Sequence, residues 1–312
     1  MRVVVTGGAG FIGSNLVRAL VNQGHRVVVV DNLASTWSLR LLEDVAAGVE
    51  FVHGDIRLPE DLARVPDGPF DRVYHLAASF ANELSVEYPE IDTHSNAEGT
   101  SDVLAMARRV GCGLFVYTGS SSSYGDVPVP FREEGPTRPY TPYARSKYEG
   151  ERRVLASGLP CAVFRLFNVY GPGDPPGRFR NAIPNMMRAL DDEGGRLRIF
   201  GREATRDFTY IDDVIRVLLD APRATGHIVN VGTGIETRIV DLAARILALY
   251  GLPQERVIFQ EPRSWDRVVR RCASVDLLHK LFGWVPTTPL AEGLPAAATW
   301  LHAAGYVRRN PA

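Results

Sequence analysis

The sequence predicts an α/β protein, a doubly wound parallel sheet that carries a smaller α/β lobe. Three observations point there. Short continuous runs of Val, Ile, Leu and Phe alternate with helical patterns through the first half of the chain, which is how strands covered by helices on both faces read. A glycine-rich turn separates the first run from the first helix. From residue 168 the texture changes to proline- and glycine-rich connections between shorter elements, as in a second unit packed on the first.

In chain order, Val3-Val4-Val5 reads as a buried strand and residues 11–21 as the helix behind it. Further strands are expected at 26–31, 50–53 and 72–76, each a short run with no polar alternation. A long helix fits 95–110 and leads to a strand at 114–118; a helix at 142–156 leads to a strand at 161–166. Tyr170-Gly171-Pro172-Gly173-Asp174-Pro175-Pro176-Gly177 is a turn-rich connection. Beyond it come helices near 182–190, 212–221, 239–249 and 290–303, with short strands near 197–200, 208–211, 228–231 and 257–259. No repeat or flexible linker is visible. The division expected is residues 1–167 for the sheet domain and 168–312 for the lobe, partly interwoven, with a ligand in the cleft between them.

The 312 residues are 45% hydrophobic and 23% charged, values that exclude a disordered or low-complexity chain. Thirty-five basic residues stand against 36 acidic ones, a net charge of −1. Proteins that neutralise nucleic-acid phosphates carry a basic excess, so nucleic acid is not an expected partner. No apolar run reaches the roughly 18 residues of a membrane span, and the opening Met-Arg-Val-Val-Val-Thr-Gly-Gly meets glycine before a signal-peptide core forms. Cys112, Cys161 and Cys272 are scattered and include no CxxC pair, so neither a disulfide frame nor a metal site is expected. A cytoplasmic, reducing setting follows. Lysine occurs only at Lys147 and Lys280 among the 35 basic residues; in such an arginine-rich chain a lysine stands out as a position where arginine does not serve.

Gly7-Gly8-Ala9-Gly10-Phe11-Ile12-Gly13 satisfies GxGxxG through Gly8, Gly10 and Gly13, and GxxGxxG through Gly7, Gly10 and Gly13. Such a turn is tight, bare enough for a pyrophosphate to approach, and delivers it to the amides of a helix N-terminus. Asp31 ends the second strand. An acid there accepts hydrogen bonds from ribose hydroxyls and repels a 2′-phosphate, so the expected cofactor is NAD rather than NADP, on a Rossmann-type sheet.

Tyr143-Ala144-Arg145-Ser146-Lys147 is a YxxxK pattern, with Thr141 placed to cap a helix and Pro142 to begin it. Residues i and i+4 share a helix face. A lysine beside the phenol, together with a cationic nicotinamide, is expected to lower the pKa of Tyr143 below its free value of about 10. Arginine, bulkier and planar, would substitute poorly. Thr118-Gly119-Ser120-Ser121-Ser122-Ser123-Tyr124-Gly125 stands at the carboxyl end of a predicted parallel strand, where open sheets place ligands; four consecutive serines leave the acting one undecided on this ground alone.

Together these features resemble the extended short-chain dehydrogenase/reductase superfamily, above all its nucleotide-sugar epimerases of the UDP-glucose and UDP-glucuronate 4-epimerase kind, over nearly the whole chain. Gly54-Asp55-Ile56, His75-Leu76-Ala77-Ala78 and Asn96-Ala97-Glu98-Gly99-Thr100 match its adenine, sub-dinucleotide and NxxGT segments. The resemblance implies a cofactor site of Gly7, Gly10, Phe11, Ile12, Gly13, Asp31, Asn32, Asp55, Ile56, Leu76, Ala77, Ala78, Tyr143 and Lys147. Counting four residues back from Tyr124, it selects Ser120 to act with Tyr143 and Lys147. Arg165-Leu166-Phe167-Asn168-Val169-Tyr170-Gly171-Pro172 and Arg206-Asp207-Phe208-Thr209-Tyr210-Ile211-Asp212-Asp213 also resemble family blocks. They imply substrate contacts at Asn168 and Arg206, with further ones at Asn82, Ser121, Ser122, Asn181, Arg263 and Asp266. Paired guanidinium forks suit a diphosphate. A homodimer through the helices at 95–110 and 142–156 is also implied.

Three departures narrow the reaction. The family's 4,6-dehydratases carry an Asp-Glu pair directly after the catalytic Ser or Thr, and its decarboxylases keep a glutamate there. This chain has Ser121 and Ser122, so the acid and base of an elimination are missing. Trp265 stands where glycine is usual, and Phe80 with Asn82 flanks the expected sugar position. The expected activity is therefore an NAD-dependent 4-epimerase of a nucleotide sugar such as a UDP- or dTDP-hexose. The alternatives are a 4,6-dehydratase, a 4-ketoreductase, and a non-catalytic NAD-sensing protein.

Overall fold

Val3, Val4 and Val5 are fully buried, yet Val3 and Val5 belong to one apolar cluster and Val4 to another. Successive side chains of a strand point to opposite faces, so a run with no polar residue requires helices on both sides. The computed structural model, which describes residues 1–34, 39–192, 195–263 and 265–311, has that arrangement. Strands β1 (Arg2–Thr6), β2 (Arg26–Asp31), β3 (Val49–His53), β4 (Phe70–His75), β5 (Cys112–Ser120) and β6 (Cys161–Leu166) lie in the order 3-2-1-4-5-6, all parallel. The order reverses between β1 and β4, and a sheet of this type opens its ligand crevice beyond the carboxyl ends of those two strands.

Six helices precede β6: α1 (Phe11–Asn22), α2 (Pro59–Leu62), α3 (Asn82–Glu87), α4 (Pro89–Asp92), α5 (Gly99–Arg109) and α6 (Pro142–Leu155). Leu16, Val17 and Leu20 of α1 pack on one face of the sheet; Val103, Leu104 and Ala107 of α5 and Val154 of α6 pack on the other. The helix expected over 95–110 instead begins with a widened, π-type stretch, Thr93–Glu98, before α5. Ser95, Asn96 and Ala97 are buried there, and such local widening is common at functional positions.

The seventh strand, Ile228–Val231, pairs in parallel with β6, and the helices Ile211–Leu219 and Asp276–Phe282 contribute to the cluster that holds α1. The chain thus returns to the first sheet after entering the lobe, and a cut at residue 167 does not follow the sheet. The lobe's own core joins Met187, Leu197, Ile199, Leu242, Ile246, Leu294 and Leu301. It lies among the helices Ala182–Ala189, Ile239–Leu249 and Leu290–Ala303 and the parallel pair Leu197–Phe200 and Val257–Gln260. Among the described residues no helix is long and apolar enough to cross a membrane.

Candidate active site

The turn after β1 is held from three sides. Gly7 has φ +70° and lies against Leu76 and Ala77, where a Cβ would stand 2.6 Å from the Ala77 nitrogen. Asp31 accepts from Ala9 N at 3.0 Å and Leu33 N at 2.8 Å. Burial pushes its carboxyl above the usual range, with those two N–H bonds opposing. Asn32 Nδ2 donates to Asp55 Oδ2 at 3.0 Å. Arg57 grips Asp55 with two bonds of 2.9 and 2.6 Å, which holds that carboxyl down at about 2. Ile56 is buried behind it. The residues fit a pyrophosphate: α1 opens at Gly10 with no side chain capping it, and a Cβ on Gly10 would meet nothing nearer than the Gly7 carbonyl at 3.3 Å. The amides of Phe11, Ile12 and Gly13 begin this helix, where backbone N–H groups have no intrahelical partner. Gly13 is the opposite case, because a Cβ there would stand 2.0 Å from the Gly7 oxygen. Gly13→Ala is expected to cost about 1–3 kcal/mol of stability and to abolish NAD retention. Thermal melting and the cofactor content of the purified protein would check this; an unchanged cofactor content would refute the assigned turn.

The catalytic candidates meet at the end of β5. Thr141 Oγ1 accepts from Ala144 N at 3.1 Å and Pro142 follows, so α6 starts where the sequence predicts. Tyr143, Lys147 and Glu151 then succeed one another every four residues. Of the four serines, Ser120 is the one whose hydroxyl acts on the Tyr143 phenol, favouring its ionised form; its Oγ accepts from Ser122 N at 3.1 Å. Lys147 is buried, with its ammonium 4.5 Å from the centre of the Tyr117 ring. Burial draws it down to about 7, against the charges of Glu151 and Asp92. Glu151 and Arg165 form a buried pair with bonds of 2.6 and 2.9 Å.

One expectation is corrected. The phenol of Tyr143 lies above its ordinary pKa, not below it. Burial dominates, Asp92 adds to it, and the Ser120 hydroxyl and the Arg271 charge oppose it. Lys147 is not among these influences; its ammonium stands over the Tyr117 ring. NAD, when bound, supplies a hydride acceptor and the positive charge that favours the phenolate.

A groove of about 950 Å³ lies in the lobe, lined among others by Asn168, Asn181, Arg206, Arg263, Asp266 and Phe200. Asp207, next to Arg206 in the chain, accepts from Thr233 N, Thr233 Oγ1, Gly234 N and Ala273 N. The adjacent Arg206 is thereby aimed at Asp266, which it reaches at 2.8 Å. Burial and the nearby Arg271 charge draw Arg206 down to about 10.

Several expected substrate residues are otherwise engaged. Asn168 Nδ2 donates to the Asp207 carbonyl at 3.0 Å, and Asn181 Nδ2 to Asp174 at 2.9 Å. Asn82 accepts from Thr141 Oγ1 at 2.6 Å, so it steadies the cap of α6 and is not among the residues lining the groove. Ser121 and Ser122 are buried and are not among the residues lining the groove. Arg263 lines the groove but is already engaged. Its guanidinium stacks 4.3 Å from the Phe200 ring and 5.3 Å from that of Trp265, and it reaches Glu83 at 3.4 Å. Trp265 thus packs on that arginine, and Phe80 lies 4.7 Å under Arg180.

Sequence reading missed Arg271 and Asp92. Arg271 is buried, spans Ser122 at 3.4 Å and Asp266 at 3.5 Å, and its Nε has no partner among the described residues. In the sequence it is one of three arginines within Arg267-Val268-Val269-Arg270-Arg271, a pattern that reads as a solvated face. Asp92 carried no motif.

Residues 3–232 match the model of the NAD dependent epimerase/dehydratase family. The chain is 35% identical over 305 residues to a UDP-glucose 4-epimerase of Mycolicibacterium smegmatis, covering 94% of this chain and 96% of that one. It is 30% identical over 317 residues to a dTDP-glucose 4,6-dehydratase of Streptomyces niveus, covering 96% and 92%. The structure superposes with a TM-score of 0.88 on a UDP-glucose 4-epimerase of Thermotoga maritima solved with UDP-glucose, at 30% identity over 97% of this chain and 99% of that one.

Proposed function

Because this chain belongs to the NAD dependent epimerase/dehydratase family, we propose that it uses NAD to invert C4 of a nucleotide sugar, a UDP- or dTDP-hexose, through a transient 4-keto sugar. One observation carries the choice among the family's reactions. The hydroxyl–phenol–ammonium set of Ser120, Tyr143 and Lys147 is followed at 121 and 122 by two buried serines, so it holds one proton-transfer group at C4 and no acid–base pair for an elimination. The family relatives include both an epimerase and a dehydratase at comparable identity, which makes this local difference the discriminating one.

In this reading Tyr143, as phenolate, takes the C4 hydroxyl proton and later returns it. Ser120, whose hydroxyl acts on the phenol, donates to the same oxygen. Arg206 and Arg271 share a single carboxylate, Asp266; that excess of positive charge, beside the part of the groove lined by Arg206 and Asp266, suits a diphosphate. Val86 and Tyr88, exposed on and beside α3, support a homodimer through the neighbouring α5 and α6.

The test is incubation of the purified protein with a panel of UDP-, dTDP-, GDP- and CDP-hexoses, followed by NMR and mass of the products. Inversion at C4 with unchanged mass and no consumption of added cofactor is expected. Loss of water would assign a dehydratase instead. Turnover that consumes reduced cofactor would assign a ketoreductase. Nucleotide-sugar binding without any conversion would leave the sensing alternative standing and end the epimerase reading.

A further inference from the structure

Asp92 is a carboxylate that the mechanism above does not use. It ends the single-turn helix α4 and is fully buried, and neither oxygen has a hydrogen-bond partner among the described residues. A buried charge left unpaired is costly, and an apolar residue would avoid that cost. Its surroundings are polar but equally unfinished. Burial raises the Asp92 carboxyl to about 6, opposed by the nearby Ser79 hydroxyl and the charge of Lys147, while Ser79 Oγ and Asn96 Oδ1 form no hydrogen bond of normal geometry among the described residues. The same segment is laced to the back of the catalytic helix: Asn96 Nδ2 donates to the Ser79 carbonyl at 2.9 Å and to Ser146 Oγ at 3.0 Å, and Ser146 Oγ donates to the Tyr143 carbonyl at 3.0 Å.

The charges around Lys147 explain why a carboxylate stands there. From its own helix it faces Glu151, but both oxygens of Glu151 are committed to the guanidinium of Arg165. From the sheet it faces Tyr117 and His75; His75 is buried and held down to about 3, so it is neutral. α4 packs on α6, one turn before the Asn96 that bonds Ser146, the neighbour of Lys147; from there Asp92, without a direct ion pair, acts on both Lys147 and Tyr143 through space. Arg271, on the far side, acts on Tyr143. Asp92 is therefore the acidic neighbour of Lys147 whose charge no arginine has already taken.

We propose that Asp92 is a positioning residue whose carboxylate is the unshared counter-charge of Lys147, setting the charge state of the Tyr143–Lys147 pair from behind the catalytic helix without touching substrate. This rests on the assignment of Tyr143 and Lys147 to the chemistry, so its main test is independent of turnover. The chain has only two lysines, and lysine-labelled NMR of the NAD-loaded enzyme resolves Lys147 against Lys280 as an internal control. A neighbouring negative charge favours the protonated form, so Asp92→Asn is expected to lower the Lys147 titration midpoint by about 1 unit and leave Lys280 unmoved. Asp92→Glu should restore the original midpoint.

In the pH dependence of kcat, removing the charge lowers the pKa of Tyr143 as well as that of Lys147. Both limbs of the profile should then move toward acid together, whereas a merely structural change would lower the plateau with the limbs in place. An unmoved Lys147 midpoint in Asp92→Asn overturns the proposal even where the enzyme epimerises normally. If that variant does not fold, the smaller neutral Asp92→Ser takes its place in the same measurement. A wild-type protein that converts no nucleotide sugar overturns the function proposed above, whatever the NMR shows.

Discussion

Tyr143→Phe is expected to lower kcat for epimerisation by about 10³-fold, within the 10²–10⁴ range of a lost acid–base group, while nucleotide-sugar affinity changes little. The reason is local. The substitution keeps the ring and removes the oxygen on which Ser120 acts, and the charges proposed for the diphosphate, Arg206 and Arg271 with Asp266, are untouched. Steady-state kinetics with calorimetric binding of the nucleotide sugar would separate the two effects. A variant that keeps more than a tenth of the wild-type kcat would show that another group moves the C4 proton.

The second large effect concerns stability. Glu151→Ala leaves the Arg165 guanidinium buried without its carboxylate. Removing one member of such a pair costs about 3–5 kcal/mol, which for a chain of this size lowers Tm by roughly 10 °C. The double variant Glu151→Leu with Arg165→Met is expected to recover much of that loss, because no charge is left stranded. Differential scanning calorimetry of the two single variants and the double variant would check this. Equal and additive losses would mean that the pair is not coupled in the way its 2.6 and 2.9 Å bonds indicate. The pair joins α6 to β6, and Arg165 also stacks 4.6 Å from the Tyr124 ring. It is therefore part of what holds Lys147, one turn earlier on α6, against Tyr117.

The corrections share one cause. Tyr143 and Lys147 lie four residues apart in the sequence, and helical periodicity puts them on one face, but their mutual influence depends on where each long side chain ends. Lys147 ends over an aromatic ring contributed by β5, and no spacing rule anticipates a ring thirty residues away. Arg263 and Arg271 are alike as letters. One stacks half-exposed between Phe200 and Trp265, and the other is buried against Ser122 and Asp266. Asn82, read as a sugar contact, is spent on the cap of α6.

What the sequence determined by itself was everything governed by local backbone preference and strict periodicity. That covers the both-face burial of β1, the turn that only glycine at 7 and 13 allows, the Thr141–Pro142 start of α6, and the β2 acid that meets the first turn. Most of these depend on residues a few positions apart, whose geometry the chain itself imposes, and the β2 acid follows from the regular spacing of a strand–turn–helix–strand unit. The tertiary structure alone decided which charges meet. It returned the strand Ile228–Val231 to the first sheet, gave Glu151 to Arg165 and left Asp92 facing Lys147. It also buried one arginine of a charge run while exposing another. Electrostatic roles follow from burial and through-space distance, and those exist only after segments far apart in the chain have packed.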